Sequence, residues 1–368
     1  MAQLTPRERT TLLIVAAVYA AVVIVIRRHI GGDIVPGIAQ SEQLLEGKAL
    51  YTADQPATGT PWPPFSALAL VPFALLARTS LPLATACWSA TSVACLAWSI
   101  ARARRWGWRP VLLGLAAVAV PLQTNFEHRN INTVLLALVI AGTAELEERR
   151  DVRAGLWFGL ATALKAFPAL LLVYLAYRRR WRALAAGLSA AAGLTLLALA
   201  PSGPAGAATA VQTWLTLTFD QARWPFGSSN QSLLTLVTRL GAPPLAATAL
   251  VFACLTAVAV VLRRPAGERR ALYEVGMTML VAVLATPIAW VHYYVLAFPA
   301  WVAAVKLPVP RAGLGLAGLA TSGLLTVGPR PLRSALLDNS VYTWGALLLF
   351  VLLILSRTAI EERHAEAG

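Results

Sequence analysis

The run AGLWFGLATALKAFPALLLVYLAYRRRWRALAAGLSAAAGLTLLALA, residues 154–200, decides the fold class. Two short apolar stretches, 154–164 and 168–177, meet at a single lysine, Lys165. The basic cluster 178–182 follows, and then a longer apolar stretch, 183–200. Cations gathered between apolar runs are the pattern that bilayer insertion imposes, because Arg and Lys are held on the cytoplasmic side. The same alternation extends outward through the whole 368-residue chain, which is 58% apolar and 13% charged. Its mean hydropathy is +0.65, and soluble proteins carry roughly a quarter charged residues. A hydrocarbon core of ~30 Å needs roughly 20 helical residues, fewer where flanking side chains snorkel. The period-two alternation of a membrane barrel is absent. The expectation is an all-α, polytopic integral membrane protein of about twelve transmembrane helices, roughly ten to thirteen.

Charge threads the runs. Residues 11–26 form an uncleaved first crossing, since a basic Arg27-Arg28-His29 stands where a signal peptide would have small residues. A polar loop, 27–65, follows and leads into a short jaw helix over 63–77. Crossings are expected at 82–100, 111–122, 131–144, 154–164, 168–177, 183–200 and 242–262, with four more before Arg357. Segment 201–231 is expected as an outer connection and 358–368 as a short cytoplasmic tail. Both termini then lie inside, and basic residues favour the cytoplasmic segments by about two to one. No stretch is long enough to fold alone in water, so residues 1–368 make one membrane-embedded domain.

Several function classes drop out. The net charge of +14 comes from short clusters between apolar runs, with no aromatic-interleaved basic face to track a phosphate backbone, so no nucleic-acid partner is expected. Cys87, Cys95 and Cys254 sit in apolar runs without metal-ligand neighbours. There is no P-loop, GxGxxG, HExxH or paired CxxC, and no metal or cofactor is expected.

Polar groups collected on the outer side are the functional candidates. Asp33 follows Gly31-Gly32 just beyond the first crossing. A carboxylate against apolar surface suits a general base, while an Asp ahead of Ile34-Val35-Pro36 is more readily a helix N-cap. Glu42, Glu46 and Asp54 share its loop. The hexamer Glu127-His128-Arg129-Asn130-Ile131-Asn132 offers cations for a phosphate and amides for sugar hydroxyls, or serves as a solvated loop. Lys165 is buried among apolar residues, where a lysine is costly without an anion. His292, in TPIAWVHYYVL, reads on spacing as part of an interfacial aromatic belt before it reads as a site residue.

Taken together and in order, these segments resemble glycosyltransferase family 87, polytopic GT-C-type enzymes that use polyprenyl-phosphate sugars. The resemblance rests on the acid after the first crossing with Gly47-Lys48-Ala49-Leu50-Tyr51 and Trp62-Pro63-Pro64-Phe65; on Arg129-Asn130-Ile131-Asn132 opening a crossing; on GLATALKAFPALLLVYLAYRRRWRA; and on the pair SNQSLLTLVTRL and TPIAWVHYYVL. The family's Gly-Gln pair is Arg129-Asn130 here, and the acid before its late histidine is Val291. The resemblance implies inverting, metal-independent transfer of a sugar, mannose first, from a polyprenyl-phosphate donor to a cell-envelope glycolipid or glycan. Chemistry would take place on the extracytoplasmic side of the plasma membrane. It implies Asp33 as the base, with Arg129, Lys165 and His128 at the donor phosphate. Asn130, Asn132, His292, Tyr51 and Trp62 are then expected at the substrates. An arabinofuranosyltransferase of the same family is the near alternative. A lipid flippase or secondary transporter is the alternative of another class, disfavoured because no inverted repeat is evident and the charges gather at one face.

Overall fold

The computed structural model describes residues 32–52, 61–220, 227–263 and 270–366, with side chains omitted for Arg270 and beyond Ser356. The expected first crossing, Asp54, the centre of the basic break 264–269 and the last two residues lie outside them. Every regular element described is helical. In chain order they are α1 (Ile34–Leu45), α2 (Pro64–Ala69), α3 (Val71–Thr79), α4 (Leu81–Ala103), α5 (Trp108–Ala117), α6 (Ala119–Glu127), α7 (Asn132–Glu147), α8 (Asp151–Leu164) and α9 (Leu170–Tyr177). There follow α10 (Trp181–Leu199), α11 (Gly203–Phe219), α12 (Leu233–Arg239), α13 (Pro244–Arg263) and α14 (Arg270–Ala285). A 3-10 turn, Val291–Ala297, leads into α15 (Phe298–Ala304), and α16 (Arg311–Ser322), α17 (Arg330–Asp338) and α18 (Val341–Glu366) complete the chain.

The bundle is built around α7. Its sequence, NTVLLALVIAGTAELE, is apolar on all sides, and everything in it but Val134 and Glu147 is buried. A helix without a polar face belongs in the interior. α4, α8 and α14 pack on it. The tightest packing is between α8 and α10, where glycines let the backbones meet. A Cβ on Gly155 would stand 2.0 Å from the Ala183 carbonyl oxygen, and one on Gly159 would stand 2.3 Å from that of Gly187. This is the small-xxx-small contact of membrane helices.

Among the described residues three helical stretches can cross a membrane by length and composition: Leu81–Trp106, Trp181–Phe219 and Pro244–Arg263. The bent pair Arg330–Asp338 and Val341–Ser356 makes a fourth. Only 22–33% of the three is buried within the protein, and apolar side chains such as Leu196, Phe219 and Phe252 stand 63–70% exposed. Apolar surface of that extent calls for lipid. The expected count of about twelve is thus not reproduced by length, because many apolar runs form short pieces. Phe167–Tyr177, Ala271–Ala285 and Val291–Ala304 are examples, and the expected crossing 111–122 breaks at Val118 into α5 and α6.

Two further differences have local causes. Segment 201–231, expected as a connection, contains the 17-residue helix α11; Pro201 and Gly203 interrupt the helix only as a 3-10 turn, after which apolar residues resume it. The expected polar tail is mostly a continuation of α18 to Glu366.

The polar residues sort to the two ends of α7. At its C-terminal end Arg102 pairs with Glu145 at 3.0 Å, Arg105 with Glu148, and Arg150 with Glu148 at 2.7 Å. At its N-terminal end stand Asn130 and Asn132. A 16-residue helix separates these groups by about 24 Å, so basic clusters that charge patterning assigned to one side do share one end of the bundle.

Candidate active site

The N-terminal end of α7 opens on a cavity of about 820 Å³ lined by Asp33, Gln123, Glu127, His128, His292, Arg333 and Tyr342 among others. It takes side chains from α1, α6, the 291–297 turn, α17 and α18.

Asp33 is placed by its backbone. Its N–H donates to the His128 carbonyl at 2.7 Å. Gly32 has φ +97, and a Cβ there would stand 2.5 Å from the same carbonyl oxygen, so only glycine fits. Asp33 occupies the N-cap position of α1, yet its side chain makes no capping bond. The carboxylate instead accepts from Asn130 Nδ2 at 2.5 Å across 97 residues of chain. His292 Nε2 stands 3.6 Å from the same oxygen. The Asp33 side chain is 37% exposed against 4% for His292, so the carboxylate faces the cavity while the imidazole backs it.

A second shell of polar groups fixes Asn130. Arg129, at φ 49, ends α6 in a left-handed turn, and its carbonyl accepts from Trp88 Nε1 of α4 at 2.8 Å. Asn130 and Asn132 are 2% and 0% exposed. Lys165 Nζ donates to Asn130 Oδ1 at 3.4 Å and to Asn132 Oδ1 at 3.2 Å, and it lies 3.7 Å from the centre of the Tyr293 ring. Asn132 Nδ2 donates to the His292 carbonyl at 3.0 Å. Lysine, two amides, carboxylate and histidine therefore form one connected network.

Lys165 sits at the break between α8 and the 3-10 turn Phe167–Ala169, outside the candidate spans. Burial pulls its ammonium down to about 7, and the Asp33 carboxylate draws it the other way. It is 6% exposed and is not part of the cavity wall. The lysine stands behind the asparagines.

His128, Asp33 and His292 share the cavity, with the two imidazole rings 5.5 Å apart. Arg129 turns its carbonyl to Trp88 and does not line the cavity. Tyr51 and Trp62 stand elsewhere: Tyr51 Oη donates to the Trp62 carbonyl at 2.7 Å, and Tyr51 packs with Leu50, Ala67, Leu199 and Leu217. They tie the loop to α2 and the α10–α11 junction.

Sequence reasoning did not assign Arg333, the one lysine or arginine lining the cavity among the described residues. The amphipathic pattern of α17, with arginines at 330 and 333, was the available signal. It also left Asn230 and Gln231 without a role. Asn230 Nδ2 donates to the Pro287 carbonyl at 3.0 Å, and Gln231 Nε2 to the Leu337 carbonyl at 2.8 Å. Tyr294 Oη and Thr343 Oγ1 donate to the Gln231 carbonyl. This strut joins the His292 segment to α17 and α18. Among the described residues no group of three or more His, Cys, Asp or Glu is arranged to hold a metal ion.

The family model described as glycosyltransferase family 87 matches residues 61–287, a stretch that includes Asn130, Asn132 and Lys165 but neither Asp33 nor His292. A polyprenol-phosphate-mannose-dependent alpha-(1-2)-phosphatidylinositol mannoside mannosyltransferase of Mycolicibacterium smegmatis is 30% identical, over 87% of this chain and 83% of that protein. A protein of the same description from Mycobacterium tuberculosis is 29% identical, over 70% of this chain and 64% of its own length. The solved structure of ArnT from Cupriavidus metallidurans bound to undecaprenyl phosphate is 17% identical, with a TM-score of 0.47 over 94% of this chain and 77% of that one. That likeness is too distant to bear on the chemistry.

Proposed function

Since this chain belongs to glycosyltransferase family 87, we propose that the cavity at the N-terminal end of α7 transfers mannose from a polyprenyl-phosphate donor to a phosphatidylinositol-mannoside-type glycolipid. Mannose is chosen over arabinofuranose because the relatives are described as polyprenol-phosphate-mannose-dependent. The observation that carries the reading is Asp33, a cavity-facing carboxylate held by Asn130 at 2.5 Å with His292 behind it.

In the proposed reaction Asp33 accepts the proton of the acceptor hydroxyl as that oxygen bonds to the anomeric carbon. The bond from that carbon to the phosphate oxygen breaks, and its electron pair leaves with polyprenyl phosphate. A single displacement inverts the anomeric centre. The leaving phosphate gathers negative charge, which preorganised donors stabilise. His128, His292 and Arg333 are the cavity residues suited to this, and Arg129 lies beside them. Lys165 acts one step back, holding the Asn130 amide toward Asp33 and the Asn132 amide toward the His292 carbonyl. The proposed reaction calls on no metal, because the phosphate is already an activated leaving group. The active face is extracytoplasmic in this reading, which the charge pattern of the chain supports.

Incubating purified protein with polyprenyl-phosphate mannose and a phosphatidylinositol mannoside, and following release of polyprenyl phosphate, tests the reading. Asp33→Asn should lower turnover by about 10²–10⁴-fold with donor binding retained. Near-normal turnover by folded Asp33→Asn protein would move the base elsewhere, and turnover only with a polyprenyl-phosphate arabinofuranose donor would replace the sugar.

A further inference from the structure

A second cavity, of about 920 Å³, lies between α5 and α16. These helices run parallel: their C-terminal ends meet where Thr321 Oγ1 donates to the Ala117 carbonyl at 3.0 Å. Their N-terminal ends are drawn together where Lys306 Nζ donates to the Trp106 carbonyl at 3.1 Å. Arg109, Lys306 and Arg311 therefore gather at one end of the cavity, and all three line it. From that end the walls turn apolar, and Gly315 leaves the middle open, since a Cβ there would meet nothing within 4 Å. A 12-residue α16 gives a groove of about 18 Å, close to the depth of one leaflet, half of a ~30 Å core.

Trp301 supplies an independent pointer. It lines the groove and is 2% exposed, and its indole N–H has no hydrogen-bond partner among the described residues. Buried donors are normally satisfied. The Trp301 ring stands 3.6 Å from the Cβ position of Gly318, seven residues past Arg311 on α16, so the indole lies about 10 Å of helical rise below that cation. Cations over an apolar groove with one buried donor between them match a phosphate, two acyl chains and an ester carbonyl. Basic pockets between membrane helices are selective for anionic headgroups.

We propose that this groove is a binding site for one anionic phospholipid, its phosphate on Arg109, Lys306 and Arg311, its ester carbonyl on Trp301 and an acyl chain past Gly315. The site is separate from the catalytic cavity: Asp33 and His128 border the far end of α6, and neither cavity shares a lining residue with the other.

The test is native mass spectrometry of the full-length protein released from detergent, titrated with phosphatidylglycerol and, in parallel, phosphatidylcholine. One phosphatidylglycerol should bind per chain with at least tenfold preference. The Arg109→Ala/Arg311→Ala double variant should abolish the preference. Gly315→Leu, which fills open space and is compatible with helix, should lower occupancy by both lipids. Equal binding of the two lipids overturns the headgroup assignment. Unchanged binding in the double variant or in Gly315→Leu overturns the location. Displacement of the lipid by millimolar inorganic phosphate would show a phosphate site instead of a lipid site and equally overturn the proposal.

Discussion

Replacing Asn130 by leucine removes the one side-chain donor to the Asp33 carboxylate among the described residues while keeping the volume of the site. The lost bond is short, 2.5 Å, and has a charged acceptor, a class worth about 1.5–3 kcal/mol. If that bond keeps Asp33 aimed at the acceptor hydroxyl, the full amount appears in the barrier, so turnover should fall roughly 10- to 150-fold. Lys165 retains its bond to Asn132 at 3.2 Å, so the corner between α8 and α9 should hold and donor KM should change little. The assay is release of polyprenyl phosphate under saturating donor, on protein whose thermal unfolding in detergent matches the parent. A double-mutant cycle sharpens it. Because Asn130 works through Asp33, Asn130→Leu should cost nothing further in the Asp33→Asn background, a coupling that independent sites do not show. Full additivity, or parental turnover in the single variant, would refute the idea that Asn130 positions a catalytic carboxylate.

Other outcomes follow from the same geometry. Lys165→Met removes the donor that both amides share, and should lower turnover by roughly tenfold with the melting temperature near that of the parent, since the buried ammonium also goes. Gly32→Ala puts a Cβ 2.5 Å from the His128 carbonyl at φ +97. The strain is about 1–3 kcal/mol, and displacement of Asp33 should reduce turnover by roughly 100-fold, measured beside a smaller loss in melting temperature. Gly155→Leu drives a side chain into the Ala183 carbonyl, 2.0 Å from the Cβ position. It should destabilise the α8–α10 contact by about 1–3 kcal/mol or more, seen as a lowered melting temperature with activity falling in step with the folded fraction.

Hydropathy and charge sufficed for the class of molecule. The run 154–200 reads as two short apolar pieces meeting at Lys165, and the helices end and restart there, at Leu164 and Leu170. The basic segments around 102–109, 145–153 and 178–182 read as one side, and their ion pairs do gather at one end of α7. These properties are local. Apolar length and clustered arginines act on insertion residue by residue, so they can be read without knowing which helix packs on which.

The site is another matter. Asp33 read more readily as a cap, and only the approach of Asn130 from 97 residues away turned its side chain from the helix end to the cavity. Tyr51 and Trp62 looked like substrate contacts from their place in the loop, but packing draws Tyr51 into a small core with α10 and α11 and sets Trp62 against the main core. Lys165 read as a phosphate ligand, yet the asparagines stand between it and the cavity. Arg333 reached the cavity because the Asn230-Gln231 strut holds α17 against the His292 segment. The sequence by itself determined a membrane-embedded helical enzyme of this family and the polar positions worth watching. Which of them face one another was decided by the tertiary structure, because helix packing brings together side chains 97 and 160 residues apart, and no local pattern encodes that choice.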